Sequence, residues 1–434
     1  MAKLWEKGYQ LNALIERFTV GQDYLHDREL IYADCLGSAA HATMLASVGV
    51  ISTEEARALR GELGRIAASA RLGEFSVEPA DEDCHTAIEA ALTRKLGEVG
   101  KKIHTGRSRN DQVLAAVRLY AKSGMHLLQA ALQRLVDVLL EGAAEHAETP
   151  MPGRTHLQIA MPSTVGLWLA ALAEESLDNL ELLETAYRQA DRNPLGSAAS
   201  YGTPLPLDRE ETARLLGFGE VHNNVLATQH GRGKLESVIL GACEQIGLTL
   251  TRYAQDMIIF SLPEIGYFSL PEELCSGSSI MPQKRNPDGL ELLRGKAATL
   301  AGRAQAARGL LHALPTGYNR DLQEAKEPLL RGLRETIDMV QVTTLTIEAL
   351  EVHTDRLEAA LTGELFATDA AYERVEGGMS FRDAYRAVAG EIERVEIPPF
   401  REALGRRGST GAPGNLNLEA PRRRLAGARK RLGE

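Results

Sequence analysis

The chain has 434 residues, 44% hydrophobic and 25% charged, the balance of a soluble globular protein able to bury a large core without disulfides or a structural metal. Lysine and arginine total 49 against 59 aspartate and glutamate, a net charge of −10, which excludes a general nucleic-acid binder and a polybasic membrane protein. An anionic substrate would have to be met by a few local cations inside a cleft rather than by the overall field. Aromatic residues are only 5%, and alanine, leucine, glutamate and arginine dominate, which favours helix over sheet. Cys35, Cys84, Cys243 and Cys275 are far apart, without CxxC spacing, and read as free thiols in a reducing compartment. Residues 1–18 lack the apolar stretch and cleavage site of a signal peptide, and no run of about 18 apolar residues suggests a membrane span, so the expected location is the cytoplasm.

In chain order, Leu36, Ala40, Met44 and Val48 mark one face of a first helix. Ser52 with Glu55 three residues on forms a capping-box pattern, and Ala56, Leu59, Leu63 and Ile66 follow on one face. From about 110 to 145 the apolar positions Leu114, Val117, Leu128, Leu132, Leu135 and Leu139 recur at helical spacing without proline. Similar stretches are expected over about 163–188, 234–260, 287–311 and 328–352. Helices this long, without internal caps, predict an all-α bundle. The segment 165–173 is apolar on more than one side, which predicts an obligate helical oligomer. Pro- and Gly-containing loops separate the helices at 149–162, 193–206, 261–286 and 314–321, and the polar residues of interest concentrate there. The end changes character: 405–414 reads as a turn or flexible link, and Arg422, Arg423, Arg424, Arg429, Lys430 and Arg431 read as a solvated basic tail.

The phosphate-loop, dinucleotide-binding and HExxH patterns are absent, and the 11 histidines show no metal-ligand spacing. Gly106–Asn110 lacks the second glycine of a nucleophile elbow. The expected chemistry is therefore side-chain acid/base catalysis with no cofactor and no metal. The most unusual segment is GSSIMPQKRNPD, 277–288. On spacing alone it is either a connecting loop with a basic tip or a mobile lid that carries a hydroxyl, a cation and an amide to one anionic ligand. Pro287 suits the first turn of the following helix, whose N-terminal amides would add positive potential beside the lid.

GSSIMPQKRNPD resembles the signature loop of the fumarase/aspartase superfamily. HTGRSRNDQV (104–113), MPGRTHLQIAMP (151–162), NPLGS (193–197), LCSGSSIMPQKRNPDGLELLRGK (274–296), YNRDLQEAK (318–326) and ATDAAYERVEGGMSFRDAYRAV (367–388) narrow it to the argininosuccinate lyase family and its delta-crystallin relatives. The likeness runs from about residue 80 to 395. It implies an all-α homotetramer whose central long helices form a twenty-helix bundle, with each active site shared by three subunits. It also implies an N-terminal helical domain at 1–108, a central long-helix domain at 109–354 and a small C-terminal domain with the basic tail at 355–434.

The implied reaction is reversible elimination of fumarate from argininosuccinate, leaving arginine. A base must take a carbon-bound proton beside a carboxylate, and cations must stabilise the enediolate-like species that forms. By resemblance, Ser278 is the base, with Lys284, loop amides and a helix N-terminus stabilising its anion. Lys284 and Asn286 hold the carboxylate that gains charge. His156 is the second catalytic residue, paired with Glu291, and either donates a proton to the leaving group or positions it. Arg109, Asn110 and Thr155 grip the succinyl portion; Tyr318, Gln323 and Lys326 bind the arginine portion; Asp83 and His85 are further binding positions. From the residues alone, Asp83 is equally a helix-start carboxylate. Other readings are a related fumarate-releasing enzyme of the adenylosuccinate lyase kind, against which YNRDLQEAK argues, or a non-catalytic crystallin-like relative. The sequence departs from the family pattern at Asp23 (where a substrate-contacting serine is usual), at Arg154 (usually tyrosine), at Gln229-His230-Gly231-Arg232 (usually Ser-Asp-Arg-Asp) and at Ala325 (usually acidic).

Overall fold

The computed structural model describes residues 12–433; the signal-peptide reading of the N-terminus falls mostly outside them. The periodic stretches form helices close to where their apolar spacing ends: α1 Ile31–Ser47, α2 Thr53–Arg71, α3 Cys84–Leu96, α4 Arg109–Glu145, α5 Val165–Ala190, α6 Lys234–Phe260, α7 Asp288–Gly309, α8 Lys326–Glu348, α9 Ala367–Glu376, α10 Phe381–Ala389 and α11 Glu419–Gly433. The strands are few and short. The fold is all-α, and α4 is the longest helix, at 37 residues.

The chain divides into two compact units that interleave along the sequence, and each long helix, α4 to α8, contributes one end to each. The first unit holds the described residues up to Met125, with Glu184–Gly241 and Ala301–Arg334. Here α1 packs against α2, and Leu59, Leu63 and Ile66 of the predicted α2 face are buried. The predicted capping box is present: Ser52 Oγ accepts from Glu55 N at 3.2 Å, and Glu55 Oε2 accepts from Ser52 N at 3.0 Å. Proline is absent from α4, and its first half buries Leu114 and Val117.

The second unit holds His126–Leu183, Ala242–Leu300 and the chain from Glu335 onward. It buries Leu128, Leu132, Leu135 and Leu139 of α4, completing the stripe read from the sequence. Val165, Leu169, Leu172 and Ala173 of α5 are buried within the chain itself, whereas Leu167 and Trp168 are half-buried and Ala171 is exposed. The loop expected at 149–162 is instead an antiparallel hairpin, β1 Pro150–Thr155 with β2 Gln158–Thr164. A bulge at Gly153 lets the strands approach; a Cβ there would lie 2.7 Å from the Met161 carbonyl oxygen. Trp168, Tyr253, Phe260 and Phe268 form an aromatic cluster in this unit, with Trp168 and Phe268 centroids 5.4 Å apart.

The basic tail is corrected. Residues 419–433 are helix α11, and its arginines are paired: Arg424 with Asp178 at 2.6 Å and Glu181 at 2.9 Å on α5, and Arg429 with Asp137 on α4. The acidic partners lie more than 200 positions earlier in the chain, so local sequence could not reveal them.

Candidate active site

In the first unit a cavity of about 200 Å³ is lined by residues that the sequence placed together, Asp83, Arg109, Asn110, Tyr318, Gln323 and Lys326. Asp83 is the N-cap of α3: its Oδ1 accepts from Thr86 N at 2.8 Å, and its Oδ2 lies 3.1 Å from Arg109 Nη1. It is thus the helix-start carboxylate and a cavity wall at once. Arg109, the first residue of α4, also donates to Thr86 Oγ1 at 2.9 Å. Gln323 Nε2 and Arg320 Nη2 both donate to the Thr19 carbonyl, each at 3.1 Å, which ties the 318–326 segment to the segment before α1.

Behind the cavity lies a buried ionic network. Lys326 Nζ is 2.8 Å from Asp23 Oδ1 and contacts Asp27, whose Oδ2 accepts from Cys84 N at 3.0 Å. Burial pulls the Lys326 pKa down, but Asp27 and then Asp23 reverse this and hold it above the usual lysine range. Burial works to raise Asp27, yet Lys326 and then His85 keep its carboxyl below the ordinary value. Asp23 goes the other way: burial pushes it up in spite of Lys326, and the Asp27 charge adds to the rise. We take Asp27 as the main counter-ion, since two carboxylates sharing one ammonium cannot both be lowered fully.

His85, expected at the substrate, is 3% exposed and does not line the cavity. Its Nδ1 lies 3.0 Å from Asp34 Oδ1. Burial alone would lower its pKa; the Asp34 charge and hydrogen bond overcome that and raise it. Asp27, Cys84 and His85 bring ligand-type atoms within 4.8 Å of one another. Asp27 is committed to Lys326, His85 to Asp34, and burial raises the thiol pKa of Cys84 well above its usual value, so the donor set suits an ion-pair network better than a cation. Asp27 and Asp34 escaped notice in the sequence, since they lie on different helical segments, Asp23–Asp27 and Ile31–Ser47, joined by a tighter turn.

The second unit carries the other expected residues. Thr155 ends β1, and His156 and Leu157 form the hairpin tip, since Thr155 pairs with Gln158. Their φ values are 54° and 63°, so two non-glycine residues occupy the left-handed region, as a primed two-residue turn requires. Nothing in Thr-His-Leu-Gln announces such a turn, which is why it read as a loop. Arg154 supports it: Nη1 donates to the Leu157 carbonyl at 3.0 Å, and Nη2 to the Tyr267 hydroxyl at 3.3 Å. Thr155 and His156 are exposed, and among the described residues no hydrogen bond joins His156 to Glu291 within the chain. Glu291, on α7, has Arg294 as its ionic neighbour, at 3.9 Å.

The 277–288 segment is a small hairpin. Strands β3 Ser276–Gly277 and β4 Arg285–Asn286 pair, and residues 278–284 form the excursion between them. Ser276 Oγ donates to Asp288, and Arg285 pairs with Glu272, which fix its base. Ser278 Oγ accepts from Ile280 N at 3.4 Å and Met281 N at 3.2 Å. Lys284 is exposed, and Asn286 Nδ2 reaches Ser276 Oγ at 3.4 Å. Pro287 precedes α7 and its carbonyl accepts from Leu290 N and Glu291 N, so it sits just outside the first turn.

The helical fold, the serine held by loop amides and the arginine- and carboxylate-lined cavity fit the expectation of a lyase of the fumarase/aspartase type, and the comparisons with known proteins show that class. The family model described as Lyase matches residues 9–302. The argininosuccinate lyase of Sorangium cellulosum is 43% identical over 98% of this chain and 98% of its own length. That of Thermotoga neapolitana is 43% identical over 90% of this chain and 98% of its own length. The crystal structure of EDDS lyase in complex with formate superposes with a TM-score of 0.80 at 23% identity, covering 98% of this chain and 92% of the other, a likeness of fold. The chain belongs to the argininosuccinate lyase family.

Proposed function

We propose that this chain catalyses the reversible β-elimination of argininosuccinate to arginine and fumarate, with Ser278 as the base. The observation that carries the activity is the near-full-length likeness, 43% identity over 98% of the chain, to an argininosuccinate lyase. In the elimination a succinyl C–H proton passes to Ser278, the C–H electrons become the new C=C bond of fumarate, and the C–N bond breaks toward the guanidinium nitrogen, which takes a proton.

The serine must act as an alkoxide. A free hydroxyl is far too weak an acid to ionise near neutral pH, so its anion needs strong selective stabilisation. Two amide hydrogen bonds to a charged oxygen contribute about 3–6 kcal/mol. The rest falls to Lys284 and to the N-terminus of α7 once the loop excludes water. Asn286 and Lys284 hold the carboxylate that becomes the enediolate; Arg109, Asn110 and Thr155 hold the other end of the succinyl group; Tyr318, Gln323 and Lys326 line the arginine end.

His156 and Glu291 act as a pair formed between chains. Supporting this, each lies exposed and neither contacts the other within one chain. A homotetramer with shared sites also suits the large apolar side chains left in the open on the long helices: Leu127, Leu182, Leu248, Leu292, Val342 and Leu345 are 37–62% exposed. No helix of the described residues is long and apolar enough to cross a membrane, and the four free cysteines support a cytoplasmic location. The direct test is fumarate absorbance on incubation with argininosuccinate, without added metal or nucleotide. Its absence from an intact oligomer would reject the activity.

A further inference from the structure

A second cavity, of about 620 Å³, lies in the second unit between the 150–164 hairpin and helices α5 and α6. Its volume falls in the range of small-molecule sites, about 300–1,000 Å³. Leu157, Leu167, Ile259 and Phe260 give it apolar walls, and Trp168 adds an indole ring. Of the candidate site residues His156 lines it, whereas Thr155, Ser278, Lys284, Asn286 and Glu291 do not.

One carboxylate is set into this apolar wall. Asp256, on α6, is half-buried, and its Oδ2 accepts from Trp168 Nε1 at 3.0 Å. Among the described residues Asp256 has no other hydrogen bond and no carboxylate–cation contact at ion-pair distance. A carboxylate can accept about four hydrogen bonds, so one neutral donor leaves most of its capacity open. Burial pushes the Asp256 carboxyl up, and the Trp168 bond and then the Arg252 charge pull the other way without restoring the ordinary value. Arg252, one turn earlier on α6, is engaged with Glu175 at 3.2 Å. The wall holds another cation, Arg154, but it donates to the Leu157 carbonyl and the Tyr267 hydroxyl, and its charge is not among those acting on Asp256. The burial cost of the Asp256 charge is therefore met only in part within the chain.

We propose that this cavity is a binding site for a small apolar ammonium compound, an alkyl or arylalkyl amine in its protonated form. The ammonium head donates to the free Oδ1 of Asp256, beside the Trp168 indole, and the hydrocarbon body fills the space between Leu157, Ile259 and Phe260. An anion of the same shape meets the Asp256 carboxylate in an apolar setting and is disfavoured. A neutral molecule covers the walls but leaves the carboxylate unmatched. The recognition rests on charge and apolar shape, and not on the reaction proposed above.

The probes are phenethylamine, phenethyl alcohol and hydrocinnamate, which share one aromatic body and differ in the charge of the head group. Each is titrated into the full-length protein by calorimetry at neutral pH. Trp168 emission is followed in parallel in Trp5→Phe, where it is the sole tryptophan. The amine binds about ten- to a hundredfold more tightly than the alcohol, the range for a hydrogen bond to a charged group, and shifts the Trp168 emission. Hydrocinnamate binds no better than the alcohol. Asp256→Asn, which keeps an acceptor for Trp168 Nε1, removes the preference for the amine and leaves the alcohol unchanged. Ala171→Phe, at an exposed position on the cavity rim, weakens every probe. Equal wild-type affinity for amine and alcohol overturns the proposal without any variant, and so does an absence of amine binding. A preference that survives Asp256→Asn, binding that survives Ala171→Phe, or binding that leaves Trp168 emission unchanged places the ligand elsewhere and overturns it as well.

Discussion

Lys326 Nζ lies 2.8 Å from Asp23 Oδ1, in a position where the lysine side chain is 3% exposed. Asp27, fully buried, contacts the same ammonium. Removing the cation leaves an uncompensated negative charge inside the protein, which costs about 3–5 kcal/mol. Lys326→Met should therefore lower the urea midpoint of unfolding strongly. Adding Asp27→Asn should recover a large part of the loss, because the orphaned charge is gone. An additive double variant would show that Asp27 is not the counter-ion.

The His85–Asp34 pair predicts a two-sided pH dependence of stability. The folded His85 pKa is raised above an unfolded value of about 6.5, so its contribution is complete below that pH and is lost as pH rises through the folded pKa. Asp34 and Asp27 are lowered, so their contributions hold above about pH 3.9 and are lost as pH falls through their folded pKa values. Stability from this network is thus greatest between about pH 4 and 6.5. Thermal melts from pH 6 to 9 should show a declining limb that flattens in His85→Gln. The same limb in the variant would assign it to other groups.

Ser278 is half-buried on a small hairpin and its hydroxyl makes only local amide contacts, so its replacement separates catalysis from folding. Ser278→Ala should keep the melting temperature within about half a kcal/mol equivalent of stability. It should lose kcat by about a hundred- to ten-thousandfold, the usual share of a general base. Stopped-assay fumarate release measures this, and near-wild-type turnover would remove Ser278 from the base role.

Arg154 braces a turn whose two tip residues are both left-handed. Arg154→Ala should let the tip relax and displace His156, lowering kcat by about tenfold or more while leaving the fold intact. Leu157→Gly, which removes the steric penalty at φ 63° while His156 stays, should be tolerated. Comparing kcat and melting temperature for the two variants tests whether the turn geometry serves the histidine.

Shared sites make a prediction about mixtures. Asn110→Ala disables a residue of the first unit and Ser278→Ala one of the second. If a site takes these two residues from different chains, subunit exchange between the inactive proteins should regenerate some intact sites and restore fumarate release. No recovery, with mixed oligomers verified by mass, would contradict sharing.

Much of this was legible in residue order. Helix positions follow from apolar spacing, because a stripe at three and four residues can be buried in only one way; α6 begins and ends where the spacing predicts. Ser278, Lys284 and Asn286 stood out because proline, glycine and polar residues crowd into one short segment. The 150–164 hairpin was hidden, because its turn lacks Asn-Gly or Asp-Gly and its geometry is imposed by Gly153, Arg154 and the strand pairing. The paired state of the C-terminal arginines and the withdrawal of His85 behind the cavity were both decided in three dimensions. Each depends on charges distant in sequence, 51 positions for Asp34 and His85 and more than 200 for Arg424 and Arg429 with their acidic partners, meeting in the folded chain. Composition and periodicity settle which segments can be helices; only their packing settles which charges are spent on one another and which remain to bind a substrate.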